Sequence, residues 1–427
     1  MMVFAHFGVA PKRTVRSLHS KRNGNMEVKN EKYMGEITKS DAGMGWEMVK
    51  LSDVADVIAG QSPESKFYND KGEGIPFFQG KADFRLDYPV VRYWCTQPTK
   101  IAKPKDILIS VRAPVGPTNI CDIEACIGRG LAAIRTGEEL DYKYLYFYFK
   151  TIENKLASQG NGSTFSAITT SVIKDLQIPL PPLSTQKRIA EILDAADALR
   201  RKDQELLKKY DELAQAIFID MFGDFSNKEQ TKSLNELSEI TNGVTKNEKL
   251  QYSEMIETPY LRVANVQDGY LDLSEIKNIK VKLSDFKKYQ LKRSDILITE
   301  GGDPDKLGRG TTWQEEIPNC IFQNHLFRIR VTSEAIRPFY LAKLIGSKYG
   351  KKYFLKAAKQ TTGIATINSS QLKSFPAIVP PIEKQLEYEK ISLRLEIIKK
   401  NAVSNLFYSD SLFNSLLQKA FKGELVT

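Results

Sequence analysis

The sequence predicts an α+β protein with two similar mixed α/β domains separated by a pair of long antiparallel coiled-coil helices. One observation is an internal repeat, because stretches in the first half of the 427-residue chain recur in the same order in the second half. A second is a doubled junction, IPLPPLSTQKRIAEI at 178–192 and AIVPPIEKQLEYEKI at 377–391, where a double proline precedes a glutamine. A third is the long apolar stripe after each junction. A chain that repeats every element in order predicts halves related by a pseudo-two-fold.

Each half opens with a short amphipathic segment that ends in glycine. The two copies are LSDVADVIAG at 51–60 and LNELSEITNG at 234–243. We expect the closing glycines, Gly60 and Gly243, to adopt the left-handed backbone conformation that glycine permits. A proline followed by an alternating pattern then predicts a strand in both copies, in IPFFQGKADF and in TPYLRVANVQ.

Further along, each half contains a turn with a buried strand and then a helix. The strands are predicted within KPKDILIS at 103–110 and KRSDILIT at 292–299. The helices are predicted within YKYLYFYFK at 142–150 and RPFYLAKLI at 337–345. The separation between matching stretches grows along the chain, so the halves differ by loop insertions and share their core elements.

The segment after each double proline has the heptad spacing of a coiled-coil helix. Proline suits the entrance of a helix but not its interior, so both helices should start just after the double prolines. Neither stripe is expected to be stable alone, and the simplest partner of each helix is the other. The predicted seam residues are Ile189, Ile192, Ala196, Leu199, Leu206, Tyr210, Leu213 and Ile217, then Tyr388, Ile391, Leu395, Ile398, Ala402, Leu412 and Leu416.

The junctions divide the chain into a tail, two domains and two helices. We assign residues 46–182 to the first domain, 183–222 to the first spacer helix, 223–381 to the second domain and 382–427 to the second spacer helix. Residues 1–45 form an N-terminal tail that we expect to be flexible or to lie outside the true start. The net charge of +10 lies mainly in the tail and the second domain, whereas the first domain is neutral. A positive excess favours a polyanionic partner.

The composition excludes several classes of protein. A hydrophobic fraction of 41% supports buried cores. No run approaches the roughly 18 consecutive apolar residues of a membrane span. The chain has four cysteines without a CxxC pair and three histidines, which give no zinc-ligand spacing. We therefore expect reduced, buried thiols in a cytoplasmic protein and no metal site.

No constellation of catalytic residues is apparent. The chain has no GxxxxGK[ST] phosphate loop, and its IPLPP and IVPP stretches lack the Asn or Asp of an amino-methyltransferase motif. SQGNGST at 158–164 is expected to be a polar loop and DPDK at 303–306 a solvated turn. His325, next to Asn324, is expected to be a packed histidine. We predict a binding protein with no catalytic residue and no cofactor of its own.

From Trp46 to the C-terminus, the junctions and repeats resemble the specificity subunits of type I restriction–modification systems. The most specific marks are LQIPLPPLSTQKRIAEIL at 176–193 and its weaker twin FPAIVPPIEKQ at 375–385. The DILIS and DILIT strands and the stretch LLQKAFKGEL at 416–425 add to the resemblance.

The resemblance implies two target recognition domains, each reading one half of a bipartite, asymmetric site in double-stranded DNA. It implies that the paired helices set the gap and dock two adenine-N6 methyltransferase subunits, and through them restriction subunits. The specificity subunit is then non-catalytic, with S-adenosylmethionine and ATP bound only by partner subunits. It also implies a bacterial or archaeal cytoplasmic location and no membrane partner.

Candidate contact residues follow from side-chain type and position. Arg pairs with guanine edges, Asn and Gln pair with adenine edges, and Lys and hydroxyl groups hold phosphates. The DNA-binding candidates are Gln79, Lys81, Arg112, Arg129, Asn161, Ser163 and Thr164 in the first domain, and Arg262, Asn265, Arg309, Asn324, Lys359, Gln360 and Thr361 in the second. The partner-binding candidates rest on the resemblance and are Gln186, Arg188, Glu191 and Gln385. The alternative for each residue is a solvated or structural side chain.

Two other functions stay open on the sequence. A non-catalytic coiled-coil scaffold protein would show no salt-sensitive, sequence-dependent DNA binding. A single-chain nuclease or methyltransferase with motifs outside the known patterns would be active as the purified chain alone. A neighbouring methyltransferase gene would favour the specificity subunit over both.

Overall fold

The computed structural model describes residues 46–158, 167–223, 231–245, 255–302, 307–361 and 364–426. The chain divides into two compact units. The first unit combines Lys29–Asp211 with Ile397–Thr427, and the second unit includes Glu212–Glu396. The predicted tail at 1–45 and the predicted turn at 303–306 lie outside the described residues.

Short helices alternate with strands, and two helices are much longer than the rest. The described helices are α1 (Leu51–Val54), α2 (Tyr142–Ser158), α3 (Thr170–Lys174), α4 (Leu183–Phe222), α5 (Leu234–Leu237), α6 (Leu283–Tyr289), α7 (Pro338–Gly346), α8 (Lys348–Ala357), α9 (Ser369–Lys373) and α10 (Ile382–Phe421). The helices α2 and α7 form where the aromatic stretches predicted them. The helices α4 and α10 start directly after the double prolines. Among the described residues, no helix has the length and apolar character needed to cross a membrane.

The strands of the first unit form two larger sheets and one short ladder. They are β1 (Met48–Lys50), β2 (Ala55–Ala59), β3 (Tyr68–Asn69), β4 (Ile75–Phe78), β5 (Tyr93–Cys95), β6 (Ile101–Ala102), β7 (Ile107–Ser110), β8 (Thr118–Ile120), β9 (Ala125–Ile127), β10 (Leu131–Thr136) and β11 (Gln177–Pro179). Their orders are β2-β10-β7-β8, β3-β5-β4-β9-β6 and β1-β11. The pair β4–β9 is parallel, with Phe77 opposite Cys126.

The second unit repeats this plan. Its strands are β12 (Thr231–Ser233), β13 (Ser238–Asn242), β14 (Met255–Leu261), β15 (Lys277–Lys282), β16 (Ile296–Thr299), β17 (Gly301–Gly302), β18 (Gly310–Thr312), β19 (Ile321–Phe322), β20 (Leu326–Val331), β21 (Lys359–Thr361), β22 (Ile364–Thr366) and β23 (Pro376–Ile378). The sheet β13-β20-β16-β18 has the order of β2-β10-β7-β8, and β14–β19 is again the parallel pair. The predicted internal repeat and α+β class are confirmed.

Each domain core lies between the four-stranded sheet and the helix that follows it. The strands β7 and β16 are buried at every position, as their continuous apolar runs predicted. Tyr144 and Phe149 of α2 are completely buried in the first core. Tyr340 and Leu341 of α7 are completely buried in the second core. The repeated sequence thus produces a repeated core.

The helices α4 and α10 pack together in each unit. In the first unit, Arg200 lies 3.7 Å from Asp410, and Lys399 forms an ion pair with Asp211. The residue number rises from Arg200 to Asp211 on α4 while it falls from Asp410 to Lys399 on α10, so the two helices are antiparallel there. In the second unit, the rings of Phe222 and Tyr388 lie 5.3 Å apart.

The predicted apolar seam is buried mainly near the helix ends. Ile189 and Ala196 are buried because they pack into the first domain core. Leu199, Leu206 and Leu213 are 47%, 37% and 46% exposed. The heptad spacing therefore marks an apolar stripe, and several of its leucines stay partly exposed.

The two glycines that close the first repeated segment have a different role from the one predicted. Gly60 and Gly243 do not adopt positive φ. They allow close approach, because a Cβ at Gly60 would lie 2.2 Å from the carbonyl oxygen of Gly128. A Cβ at Gly243 would meet a carbonyl oxygen at 2.1 Å. Positive φ occurs instead at Gly223 and Gly423, which follow the last turns of α4 and α10.

Candidate nucleic-acid interface and helix-entrance corners

The glutamine after the first double proline joins α4 to its domain. Gln186 Oε1 accepts a hydrogen bond from the Asp141 N–H at 2.8 Å. Its Nε2 donates to the carbonyl oxygens of Glu139 at 2.9 Å and Pro181 at 2.8 Å. The side chain is fully buried, so all its polar bonds are internal.

The corner after the second double proline, where α10 leaves the second domain, has the same three hydrogen bonds. Gln385 Oε1 accepts from the Arg337 N–H at 2.8 Å, and its Nε2 donates to the carbonyl oxygens of Ala335 at 3.0 Å and Pro380 at 2.7 Å. This glutamine is also fully buried. Neither Gln186 nor Gln385 is accessible to a partner in this conformation, in contrast to the expectation from the sequence. A direct contact would require the corner to open.

The other two partner-binding candidates lie on the surface of α4. Arg188 and Glu191 are exposed and form a salt bridge of 3.2 Å with each other. Because both side chains are exposed to solvent, this pair adds little to stability. Their side chains stay accessible beside the corner.

Two first-domain candidates lie together at one end of the β2-β10-β7-β8 sheet. Arg112 follows β7 and forms a backbone bridge with Ala167, and Arg129 lies in the turn between β9 and β10. Both border a surface pocket of about 240 Å³ that Gly60 and Thr170 also line. This end of the sheet is therefore a concave surface with two arginines at its border.

Gln79 and Lys81 extend this surface from the end of β4. A Cβ at Gly130 would lie 2.5 Å from the Gln79 carbonyl oxygen, so the two loops touch through their backbones. Asp83 fixes the turn by accepting the Gln79 N–H at 2.7 Å. Within the described residues, neither Lys81 nor the two arginines have a carboxylate partner. The remaining candidates, Asn161, Ser163 and Thr164, lie outside the described residues.

Two second-domain candidates make internal bonds. Asn265 is 3% exposed, accepts the Arg262 N–H at 2.9 Å, and donates to the carbonyl oxygens of Asp272 and Glu275. Arg262 forms a salt bridge of 3.3 Å with Glu275. The residue types predicted base contacts, but Asn265 has a structural role here because its amide is buried and fully bonded.

The other second-domain candidates lie near one end of the β13-β20-β16-β18 sheet. Asn324 is half-buried in the turn between β19 and β20, and its N–H donates to the Val244 carbonyl oxygen at 2.9 Å. The Arg309 carbonyl oxygen accepts the Thr299 N–H at 3.1 Å, and Arg309 Nε is buried without a hydrogen-bond partner. The strand β21, formed by Lys359, Gln360 and Thr361, pairs with β22, and β22 pairs with β17. These elements meet around the strand ends.

His325 is exposed, which corrects the expectation of a packed histidine. Its side chain is 58% exposed, and its Nδ1 lies 2.8 Å from Glu300 Oε2. The backbones of the two residues are also bonded, since the Glu300 N–H donates to the His325 carbonyl oxygen at 3.0 Å. The physical reason is position, because His325 lies in the turn after β19, beyond the core.

An Arg–Asp ion pair with a buried carboxylate occurs in both domains and was not predicted from the sequence. Arg135 Nη2 lies 2.7 Å from Asp106, and Arg330 Nη2 lies 2.6 Å from Asp295. Each arginine donates two bonds to its carboxylate, and these bonds raise the pKa of both guanidinium groups. The signal was present, because both DILI stretches start with this Asp, and β10 and β20, which pair with the DILI strands, both contain this Arg.

A second charged cluster, also missed, occurs in the first unit. Arg201 of α4 donates to Asp87 Oδ1 at 2.6 Å, and the Tyr146 hydroxyl donates to the same carboxylate at 3.1 Å. Burial disfavours the charged form of Asp87, but the bonds from Arg201 and Tyr146 outweigh burial and lower its pKa from 3.8. Arg201 also forms an ion pair with Asp197. These bonds tie a domain loop to α4.

The cysteines of the chain are packing residues. Cys95, Cys121, Cys126 and Cys320 are free and buried. Burial raises the pKa of Cys121 and of Cys320 to about 12, so both thiols are neutral at physiological pH. Within the described ranges, no cluster of His, Cys, Asp and Glu side chains could hold a metal ion.

The model of one protein family matches both halves of the chain. The family is described as the type I restriction modification DNA specificity domain, and it matches residues 44–209 and 227–401. The two matches fall on the two repeated domains and on parts of the long helices.

Individual proteins of known type resemble the chain over different lengths. A putative type I restriction enzyme MjaX specificity subunit of Methanocaldococcus jannaschii is 45% identical over 38% of this chain and 40% of its own length. The EcoKI specificity subunit of Escherichia coli is 24% identical over 89% of both chains. The crystal structure of a type I S subunit from M. genitalium superposes with a TM-score of 0.54 at 15% identity, covering 91% of this chain and 98% of that one. The last likeness concerns the fold alone.

Proposed function

Since the chain belongs to the family of type I restriction modification DNA specificity domains, we propose that its two domains each read one half of a bipartite, asymmetric site in double-stranded DNA. The chain is the specificity subunit of such a system, which is a non-catalytic component. Base reading by the two domains assigns recognition to this chain and leaves the chemistry to other subunits.

One observation carries the proposal, namely that a repeated scaffold presents different polar residues at the same turn. The parallel pairs β4–β9 and β14–β19 have matching registers, and the turn that follows each pair holds Arg129 in one domain and Asn324 in the other. Arg suits guanine edges and Asn suits adenine edges. Two equivalent turns with different readers fit a site whose halves differ.

The first domain has a suitable surface although its net charge is neutral. Lys81, Arg112 and Arg129 are exposed near one end of its sheet and, within the described residues, have no acidic partner. Several acids of this domain, such as Asp83 and Asp106, are instead buried in ion pairs. Unpaired cations gathered at one place attract phosphates more than a net charge suggests.

We further propose that α4 and α10 set the gap between the half-sites and dock two adenine-N6 methyltransferase subunits, and through them restriction subunits. Each helix has 40 residues, roughly 60 Å at 1.5 Å per residue. Both helices carry large exposed apolar side chains, which favour burial against another protein. These are Leu199, Leu206, Ile397, Ile398, Val403, Phe407, Tyr408 and Leu412 in the first unit, and Leu213, Ile219, Leu386 and Leu393 in the second.

The test maps adenine N6 methylation across the genome of cells that express this chain with a type I methyltransferase subunit from the same source. We expect a split, asymmetric motif that needs both genes. Arg129→Ala should relax one half-site, Asn324→Ala should relax the other, and the exposed Glu124→Gln should change neither. If both proteins associate and no motif appears, the non-catalytic scaffold function, which the exposed apolar helices also fit, takes precedence.

A further inference from the structure

We propose that His325 contacts a base edge in the second half-site and that Glu300 is the positioning residue that orients it. This inference rests on the proposed DNA-reading function and adds a residue that was not among the candidates from the sequence. It concerns the loop end of the second domain, where Asn324 and Arg309 also lie.

The geometry fixes the ring from two directions. Glu300 Oε2 lies 2.8 Å from Nδ1, and the Glu300 N–H bonds the His325 carbonyl oxygen at 3.0 Å. Glu300 is itself held in place, since its carbonyl oxygen accepts the Ile367 N–H at 2.9 Å. With Nδ1–H donated to the carboxylate, Nε2 on the other side of the ring stays available to a ligand. A pre-oriented and exposed imidazole is suited to reading rather than to packing.

The neighbouring residues place this ring on the candidate surface. Asn324 precedes His325 in the turn, and Glu300 follows Thr299, whose N–H bonds the Arg309 carbonyl oxygen. Glu300 also precedes Gly301, which pairs with Thr366 of β22. The side chains of His325 and Glu300 are 58% and 34% exposed. The pair is therefore accessible from the side where the proposed readers lie.

Charge favours a base edge over a phosphate. The Glu300 carboxylate lies beside the imidazole and repels phosphate groups, whereas amino groups on base edges carry no negative charge. A neutral ring with Nδ1–H bonded to Glu300 accepts at Nε2 from adenine N6 or cytosine N4, and a protonated ring donates to guanine O6 or N7. Both forms read the major-groove edge of a base pair.

The first domain has no counterpart of this pair. The Val111 N–H bonds the Gly130 carbonyl oxygen at 3.0 Å, which is the backbone bond that joins Glu300 and His325 in the second domain. Val111 and Gly130 therefore occupy the same two positions and have no polar side chains. The proposed contact should affect the second half-site alone.

The test introduces His325→Ala, His325→Gln and Glu300→Ala into the full chain, and maps adenine methylation in the presence of the methyltransferase subunit. Glu257→Gln, an exposed carboxylate of the same domain, is the matched control. We expect His325→Ala to lower discrimination at one base pair of the second half-site by roughly tenfold or more. The base that loses discrimination shows which form of the ring reads it. Glu300→Ala should affect the same base pair to a smaller degree, and the first half-site should be unchanged.

The outcomes separate this inference from the proposed function. No motif with the wild-type chain would remove the proposed function itself. A wild-type motif that persists unchanged in both His325 variants would overturn the inference, as would a uniform loss of methylation at every site, which indicates a phosphate contact. If His325→Ala fails to assemble with the methyltransferase, His325→Gln decides the question, because a flexible glutamine amide lacks the imidazole that Glu300 orients and should lower or change the discrimination at the same base pair.

Discussion

The first and second domains use the same internal bonds to hold different surface residues. Both have a buried glutamine at the helix entrance and an Arg–Asp pair at the end of two paired strands, and their four-stranded sheets have the same strand order. They differ at the turn between the parallel pair and the next strand, where one has Arg129 between glycines and the other has Asn324 beside His325. The two domains therefore share the internal bonds and strands around this turn, whereas the residues of the turn itself differ.

The largest expected effect on stability comes from removing the buried carboxylate of the repeated Arg–Asp ion pair. Asp106→Ala or Asp295→Ala leaves an arginine largely buried without its partner, and we expect a loss of about 3–5 kcal/mol of unfolding free energy. Hydrogen exchange measured by mass spectrometry should show the loss in the unit that carries the substitution. A large loss for one substitution and none for the other would break the equivalence of the two scaffolds.

A smaller effect is expected at the helix entrances. Gln186→Leu and Gln385→Leu each remove three hydrogen bonds and leave buried backbone groups unpaired, so we expect a loss of about 2–3 kcal/mol. Urea unfolding followed by tryptophan fluorescence measures it, because Trp313 lies in the second unit and Trp46 and Trp94 in the first. The exposed Arg188→Ala is the control and should be nearly neutral. Equal urea midpoints for Gln186→Leu and wild type would contradict the role of Gln186 in joining α4 to its domain.

The smallest effect is expected at the Asp87–Arg201 ion pair, which joins a loop of the first domain to α4. Asp87 has a lowered pKa in the folded chain, so its contribution to stability is full above 3.8, the unfolded value, and is lost as pH falls through the folded value. We expect Asp87→Asn to cost about 1–2 kcal/mol at pH 7 and progressively less in acid. Chemical denaturation of both proteins from pH 7 to pH 3 measures the difference. A gap that stays constant with pH would refute the role of the carboxylate charge.

The elements that the sequence predicts well are those that local pattern determines. The DILI strands, the aromatic helices and the helix entrances after double prolines depend on neighbours along the chain, and all of them formed where expected. The fate of the apolar stripe depends on distant residues, and Leu199 is exposed because no described part of the chain covers it. The close approach at Gly60 could not be predicted, because it depends on Gly128, which is distant in the sequence.

The candidate site shows the same limit at the level of side chains. Of the candidates chosen by residue type, Arg112 and Arg129 lie in loops that border one pocket of the first domain. Residue type could not tell that Asn265 is bonded inward or that His325 faces outward, because burial follows from tertiary packing. The buried ion pairs were visible only as a repeated Asp and a repeated Arg, and pairing them required the register of β7 with β10.

The packing of the end of α10 has a consequence for the order of events during synthesis. Phe413, Leu417 and Phe421 are buried in the core of the first domain, and the Phe421 ring lies 5.1 Å from Tyr144. A ribosome adding about 5–20 residues per second reaches them long after α2 has emerged. While the second domain is being synthesised, the part of the first domain core that α10 later covers is therefore exposed. The core of the first domain is therefore completed only after the second domain has been made.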